Sequence, residues 1–325
     1  MLQSLGGRSG KRPALGPAKS FHAFKLDYLM ARIHVRINPR VLVWARIRSR
    51  YDESSVAKKV GVSLERYHEW ESGSSSPTIR QLHSLVRALN EPLQTFFMSA
   101  VPDEPEVLAE MRRLPGAPIG DESPELAGQV HLAVERREIA LHLYEALAEE
   151  PASLVITADL SQDAESLAQT VRGQIGVSVQ EQVSWGDAHE AVREWRSKLE
   201  AKGVLVFQIP HVSMKEMRGF SFALNPLPII GVNSKDSPTG RVFTIFHELI
   251  HLLLKDTMLD PGDSTWFHID PRFEVEHFCN RVAAATLIPP EDVTEQAAKR
   301  NKVRDADWMD TEIRSLSAHL VARRK

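Results

Sequence analysis

The chain has 325 residues, 42% of them hydrophobic and 26% charged, with a single cysteine. That length exceeds one ordinary domain, so two compact units with linking segments are expected. No apolar run approaches the roughly 20 residues of a bilayer span, and one cysteine excludes a disulfide framework or a Cys-rich zinc finger, so a reducing, cytoplasmic setting is expected.

The net charge of −3 hides an asymmetry. Residues 1–50 carry eleven Lys/Arg against Asp27 alone, a net +10 that leaves −13 for the rest of the chain. A basic end on an acidic body is a footprint of nucleic-acid contact, or simply a solvated tail. Residues 1–30 form the basic tail, with Met30 as a second possible start. The stretch from Met1 to Ser20, rich in Gly, Ser, Pro and Lys/Arg, is expected to be disordered.

Residues 31–100 read as a helical domain. Asn38-Pro39 sets an N-cap and a proline at the first helical position, followed by an apolar face of Val41, Leu42, Trp44, Ala45 and Ile47. A short helix ends at Gly61, Ser63 caps the next, which stops near Gly73, and Pro77–Leu89 is amphipathic.

Residues 101–150 carry twelve acids, four basics and five prolines, which marks an acidic connector running into a helix over 123–149. Residues 151–325 are mixed. Helices are expected over 161–174 and 187–202, strands over 203–210, 218–224 and 228–234, then an apolar helix from Pro238 to Leu254. After a polar loop come a helix over 272–288 and a short C-terminal helix. The fold class is mostly α with a small β-sheet (α+β).

The apolar helix contains His247-Glu248-Leu249-Ile250-His251. Histidines four apart share one helix face and can converge on a tetrahedral Zn²⁺. Glu248, turned about 100° from His247, stands where a general base activates water. Two His and a Glu in an otherwise apolar stretch are costly unless something satisfies them. A catalytic zinc needs a third ligand; the candidates are Glu276, His277, Glu274 and His268. Glu276 and Asn280 are four apart and face the same way, so Asn280 would orient a histidine from outside the ligand shell, while Phe278, Val282 and Ala285 turn away.

The histidine pair, followed from Glu276 onward by E-x-x-x-N-x-x-A-A-x-x-L-x-P, resembles the ImmA/IrrE family of metallo-endopeptidases over roughly 150–318, as do the preceding RGFSF and PIIGVNSKDSPTGRVFTIFHE. The resemblance implies a gluzincin-like domain with one Zn²⁺ per chain, His247, His251 and Glu276 as ligands and Glu248 as acid/base. Cys279 stands where that family usually has Ala, as a small buried residue. A partner for the transition-state oxyanion is also needed. The four tyrosines lie outside the peptidase region, which leaves His268, with His211 and Arg218 behind it.

The block VAKKVGVSLERYHEWESG resembles the Xre/Cro-like helix-turn-helix family over about 38–97, with Ala57, Gly61, Val62, Ser63, Trp70-Glu71 and Gly73 in matching places. This implies a recognition helix in the major groove, with Glu65, Arg66, His68 and Glu69 near base edges. Arg46, Arg48, Arg50, Lys58 and Lys59 are the candidate phosphate contacts. Glu53 stands where that family commonly has Gln, and Glu65, Glu69 and Glu71 make the recognition helix acidic, so a protein-docking role competes with DNA binding. Together the resemblances imply a regulator that cleaves a partner repressor or antitoxin in a stress, mobile-element or toxin–antitoxin response, with a homodimer left open. The competing class is a non-enzymatic transcription regulator whose zinc fold is a sensor.

Overall fold

The computed structural model describes residues 33–102, 123–255, 271–290 and 294. The basic tail, the first part of the connector, the loop carrying His268 and the C-terminal helix expected from sequence lie outside the described residues. The chain divides into two compact units, Met1–Asp103 and Glu104–Lys325.

The first unit is helical: α1 (Pro39–Arg48), α2 (Glu53–Val60), α3 (Leu64–Glu71), α4 (Ile79–Leu89) and a 3₁₀ turn over Leu93–Phe97. Each α-helix has a side-chain N-cap: Asn38, Asp52, Ser63 and Thr78 each accept a backbone N–H of the first turn. Gly61 ends α2 at φ 78°, a left-handed position that suits glycine. α4 starts two residues later than Pro77, because Thr78 and Gln81 form a reciprocal capping box. The core joins Leu42, Ala45, Val56, Tyr67, Trp70, Leu85 and Phe96. The expected face of α1 is narrower than its composition implied. Ile47 is 56% exposed, since it lies two residues, about 200° of helix rotation, from the buried Ala45, while the half-buried Trp44 packs against the core as expected.

The second unit holds α5 (Pro124–Leu147), α6 (Ala164–Ile175), α7 (Val179–Ser184), α8 (Ala188–Glu200), β1 (Leu205–Ile209), β2 (Gly219–Phe222), β3 (Ile229–Asn233), α9 (Pro238–Lys255) and α10 (Pro271–Leu287). The sheet order is β1-β3-β2, with β1 parallel and β2 antiparallel to the central β3. All five residues of β3 are buried, as a strand covered on both faces requires. Its side chains alternate between two cores. Ile229 joins Phe220, Phe222 and Ile209 under Leu126, Val130 and Val134 of α5. Ile230 and Val232 join Ile245, Phe246 and Leu249 of α9, backed by α6, α8 and α10.

The helix placed in the connector by composition is thus a layer of the second unit. Arg137 of α5 fixes it there: its guanidinium donates to the carbonyls of Pro226 (2.6 and 3.2 Å) and Leu227 (3.0 Å). Gly231 lies opposite Phe220 in the ladder, and a Cβ there would meet the Phe220 ring at 2.4 Å. Gly231→Ala is therefore expected to destabilise the protein by about 1–3 kcal/mol through overpacking, read as a lowered urea midpoint with an unchanged slope.

Candidate metal centre and helix-turn-helix

On α9 the residues Val242, Ile245, Phe246, Leu249, Ile250, Leu252 and Leu253 are buried, and the half-buried His247, Glu248 and His251 form one narrow polar stripe. α10 packs along this helix by Cys279, Val282 and Ala283. The turn before those residues carries Glu276 to the stripe.

The ligand atoms converge. His247 Nε2 and His251 Nε2 are 3.1 Å apart, and the Glu276 carboxylate lies 3.3 Å from the first and 3.4 Å from the second. A tetrahedral shell with bonds of about 2.0–2.1 Å has edges of roughly 3.3 Å. The spacing is close to that of such a shell, with Glu276 offering a different carboxylate oxygen to each histidine. Among the described residues this is the one group of three or more His, Cys, Asp or Glu with that spacing. Glu274 and His277, the other candidates on α10, are exposed and outside it.

Asn280 Oδ1 lies 3.1 Å from His247 Nδ1. As an acceptor it holds the proton on Nδ1 and leaves the Nε2 lone pair for the site. Burial pushes His247 below the ordinary imidazole range, against the weaker upward pull of Glu276. The ring is thus neutral near pH 7, the form that ligates metal. Burial raises the Cys279 thiol, so this fully buried residue is not a nucleophile.

Gly219, at the first position of β2, has no counterpart among the candidates read from sequence, although RGFSF contains it. A Cβ there would lie 2.4 Å from Thr244 and 2.9 Å from Glu248 Oε1. Strand β2 thus passes its backbone against the glutamate. His268 lies outside the described residues; His211 and Arg218 are exposed.

Residues 199–315 match the family model of the IrrE N-terminal-like domain, a peptidase family, and residues 44–96 match that of a helix-turn-helix. The chain carries both domains, in the expected order. No curated protein and no solved structure matches it. The IrrE-like match begins at the end of α8, so α5, α6 and α7 stand outside it.

In the helix-turn-helix domain the basic residues divide by what they touch. Arg46 donates to both carboxylate oxygens of Glu71, at 2.7 and 3.0 Å. Arg48 is ion-paired with the buried Glu91 and lies over the Trp44 ring. Arg66 pairs with Glu69 at 2.6 Å, and His68 with Glu53 at 3.3 Å. Arg50 takes a left-handed backbone turn after α1. Lys58 and Lys59 are exposed, Lys59 with its ammonium 4.8 Å from the Tyr51 ring centre. The inward turn of Glu71, 6% exposed, also removes one acid from the surface of α3.

Proposed function

We propose that this chain is a zinc-dependent endopeptidase, with His247, His251 and Glu276 holding one Zn²⁺ and Glu248 as general base. The observation that carries this reading is the triangle of ligand atoms with a carboxylate one residue from its first histidine. Bound there, zinc would polarise the scissile carbonyl and lower the pKa of the attacking water. Glu248 takes the water's proton on a carboxylate oxygen and returns it to the leaving amide nitrogen. Asn280 keeps the His247 ring turned with its Nε2 toward the site. Strand β2 is a sheet edge among the described residues, and an extended peptide can add to it beside Glu248. That favours a polypeptide substrate over a small molecule.

The substrate in this reading is a repressor or antitoxin partner, and the helix-turn-helix binds DNA or that partner. The test is to incubate the zinc-loaded protein with the product of a neighbouring regulator gene and search for one chelator-sensitive cut by mass spectrometry. A protein that binds zinc and the regulator but never cuts it is a sensor instead. Glu248 favours the enzyme, because a purely structural zinc site has no use for that carboxylate.

Two variants separate folding from phosphate contact in the first unit. Arg46→Ala strips a buried Glu71 of its partner and is expected to cost roughly 3 kcal/mol of stability. Lys58→Ala should leave the melting curve unchanged. If the domain binds DNA, it should weaken all sequences alike and flatten the salt dependence by about one unit of slope. A gel-shift titration at several salt concentrations, beside thermal melts, reads both.

A further inference from the structure

One face of the C-terminal half of α5 is exposed. Ile139, Leu143 and Leu147 are 52%, 58% and 66% exposed. Isolated exposed leucines are ordinary, but three in an i, i+4, i+8 row form a stripe. At about 100° per residue, Ile139 and Leu147 lie some 40° to either side of Leu143. Ala140 and Ala146 flank the stripe at about 60° on opposite sides. The face is therefore a palindrome about Leu143, with small residues at its borders that permit close approach of a second helix.

Its charges are also arranged for self-pairing. Arg136 lies seven positions before Leu143, exposed, with its guanidinium 5.7 Å from the Phe207 ring centre. Glu150 lies seven positions after it, just beyond the left-handed C-cap at Ala148. Glu138, Glu145 and Glu149 point more than about 100° away from the stripe where helical geometry holds.

We propose that this face binds a second copy of the chain as an antiparallel, two-fold symmetric helix pair centred on Leu143. In that register Leu143 meets its own copy, Ile139 meets Leu147, and Arg136 meets Glu150, twice over. A two-fold contact requires self-complementarity, which the apolar row and the opposite charges beyond its two ends both offer. The contact is smaller than the roughly 800 Å² per partner of a standard interface, so the dimer is concentration-dependent, in the micromolar range or weaker. It presents two helix-turn-helix units, the number that paired half-sites on DNA use.

The test uses the full chain in sedimentation equilibrium over a concentration series. The wild type should shift from monomer to dimer, and Leu143→Glu should stay monomeric with an unchanged melting temperature, since Leu143 supports no core. Arg136→Glu and Glu150→Arg should each weaken association at least tenfold, and the double variant should restore it. Leu143→Cys should form a symmetric disulfide under mild oxidation while Glu145→Cys does not, with the buried Cys279 silent. A monomer at every concentration, a dimer insensitive to Leu143→Glu, or a charge swap that fails to restore pairing overturns the proposal.

Discussion

Glu248→Gln should bind about one zinc per chain, melt like the wild type, and lose proteolysis by roughly 10²–10⁴-fold, the usual contribution of a positioned base. The substitution exchanges one carboxylate oxygen for an amide nitrogen of nearly the same size. The packing against Gly219 and Thr244 is therefore kept, and the proton acceptor is lost. The donor triangle is untouched, because Glu248 is not one of its corners. The measurement is a single-turnover cleavage assay beside metal analysis of the same preparation. Cleavage at the wild-type rate would remove Glu248 from the chemistry and, with it, the reason to prefer an enzyme over a sensor.

The proposed metal ligands should form a graded series. His247→Ala and His251→Ala each delete one of two imidazole nitrogens that lie 3.1 Å apart, and should cost most of the bound zinc. Glu276→Ala should do nearly as much. Asn280→Ala, which leaves the ligands in place and frees the His247 ring to turn, should cost about 10–100-fold in affinity. Glu274→Ala and His277→Ala should change little, because both residues stand outside the triangle. Competition with a chromophoric chelator ranks the whole set. A larger loss for His277→Ala than for Glu276→Ala would mean that the loaded protein uses the other side of α10.

Much of this arrangement is legible in the chain itself, where the signals are local. Asn38-Pro39, Gly61 and Ser63 mark helix ends by their own backbone chemistry, and the three strands are set off by Gly and Pro. The histidine pair is a matter of spacing along a helix, and its polar stripe stands out because the run from Ile245 to Leu254 is otherwise apolar. Long-range pairing leaves no such trace. Nothing in the composition of the basic N-terminal stretch shows that Arg46 belongs to Glu71, two helices further on, or Arg48 to Glu91; counted as charge, both look available to phosphate. α7 has six residues, too few for a helical period to register. The 3₁₀ turn over Leu93–Phe97 is shorter still. The layer formed by α5 is hidden because the acids and prolines over 102–125 set the character of the whole stretch, although Leu126 to Val134 contains no acid.

The far end of α10 is held from outside the matched segment. Arg172 on α6 donates to the Thr286 carbonyl at 2.7 Å, and Gln182 on α7 donates to the Leu287 carbonyl at 3.0 Å. These satisfy carbonyls that a helix terminus otherwise leaves without partners. Arg172 and Gln182 are themselves hydrogen-bonded at 2.7 Å. The helix that delivers Glu276 is thus secured at its opposite tip by residues from far earlier in the chain. A piece cut back to residues 199–315 would keep every proposed metal ligand yet lose both hooks and the α6 surface beneath α10. Such a minimal piece should be a poor metalloprotein for mechanical reasons, with its third ligand on an unmoored arm.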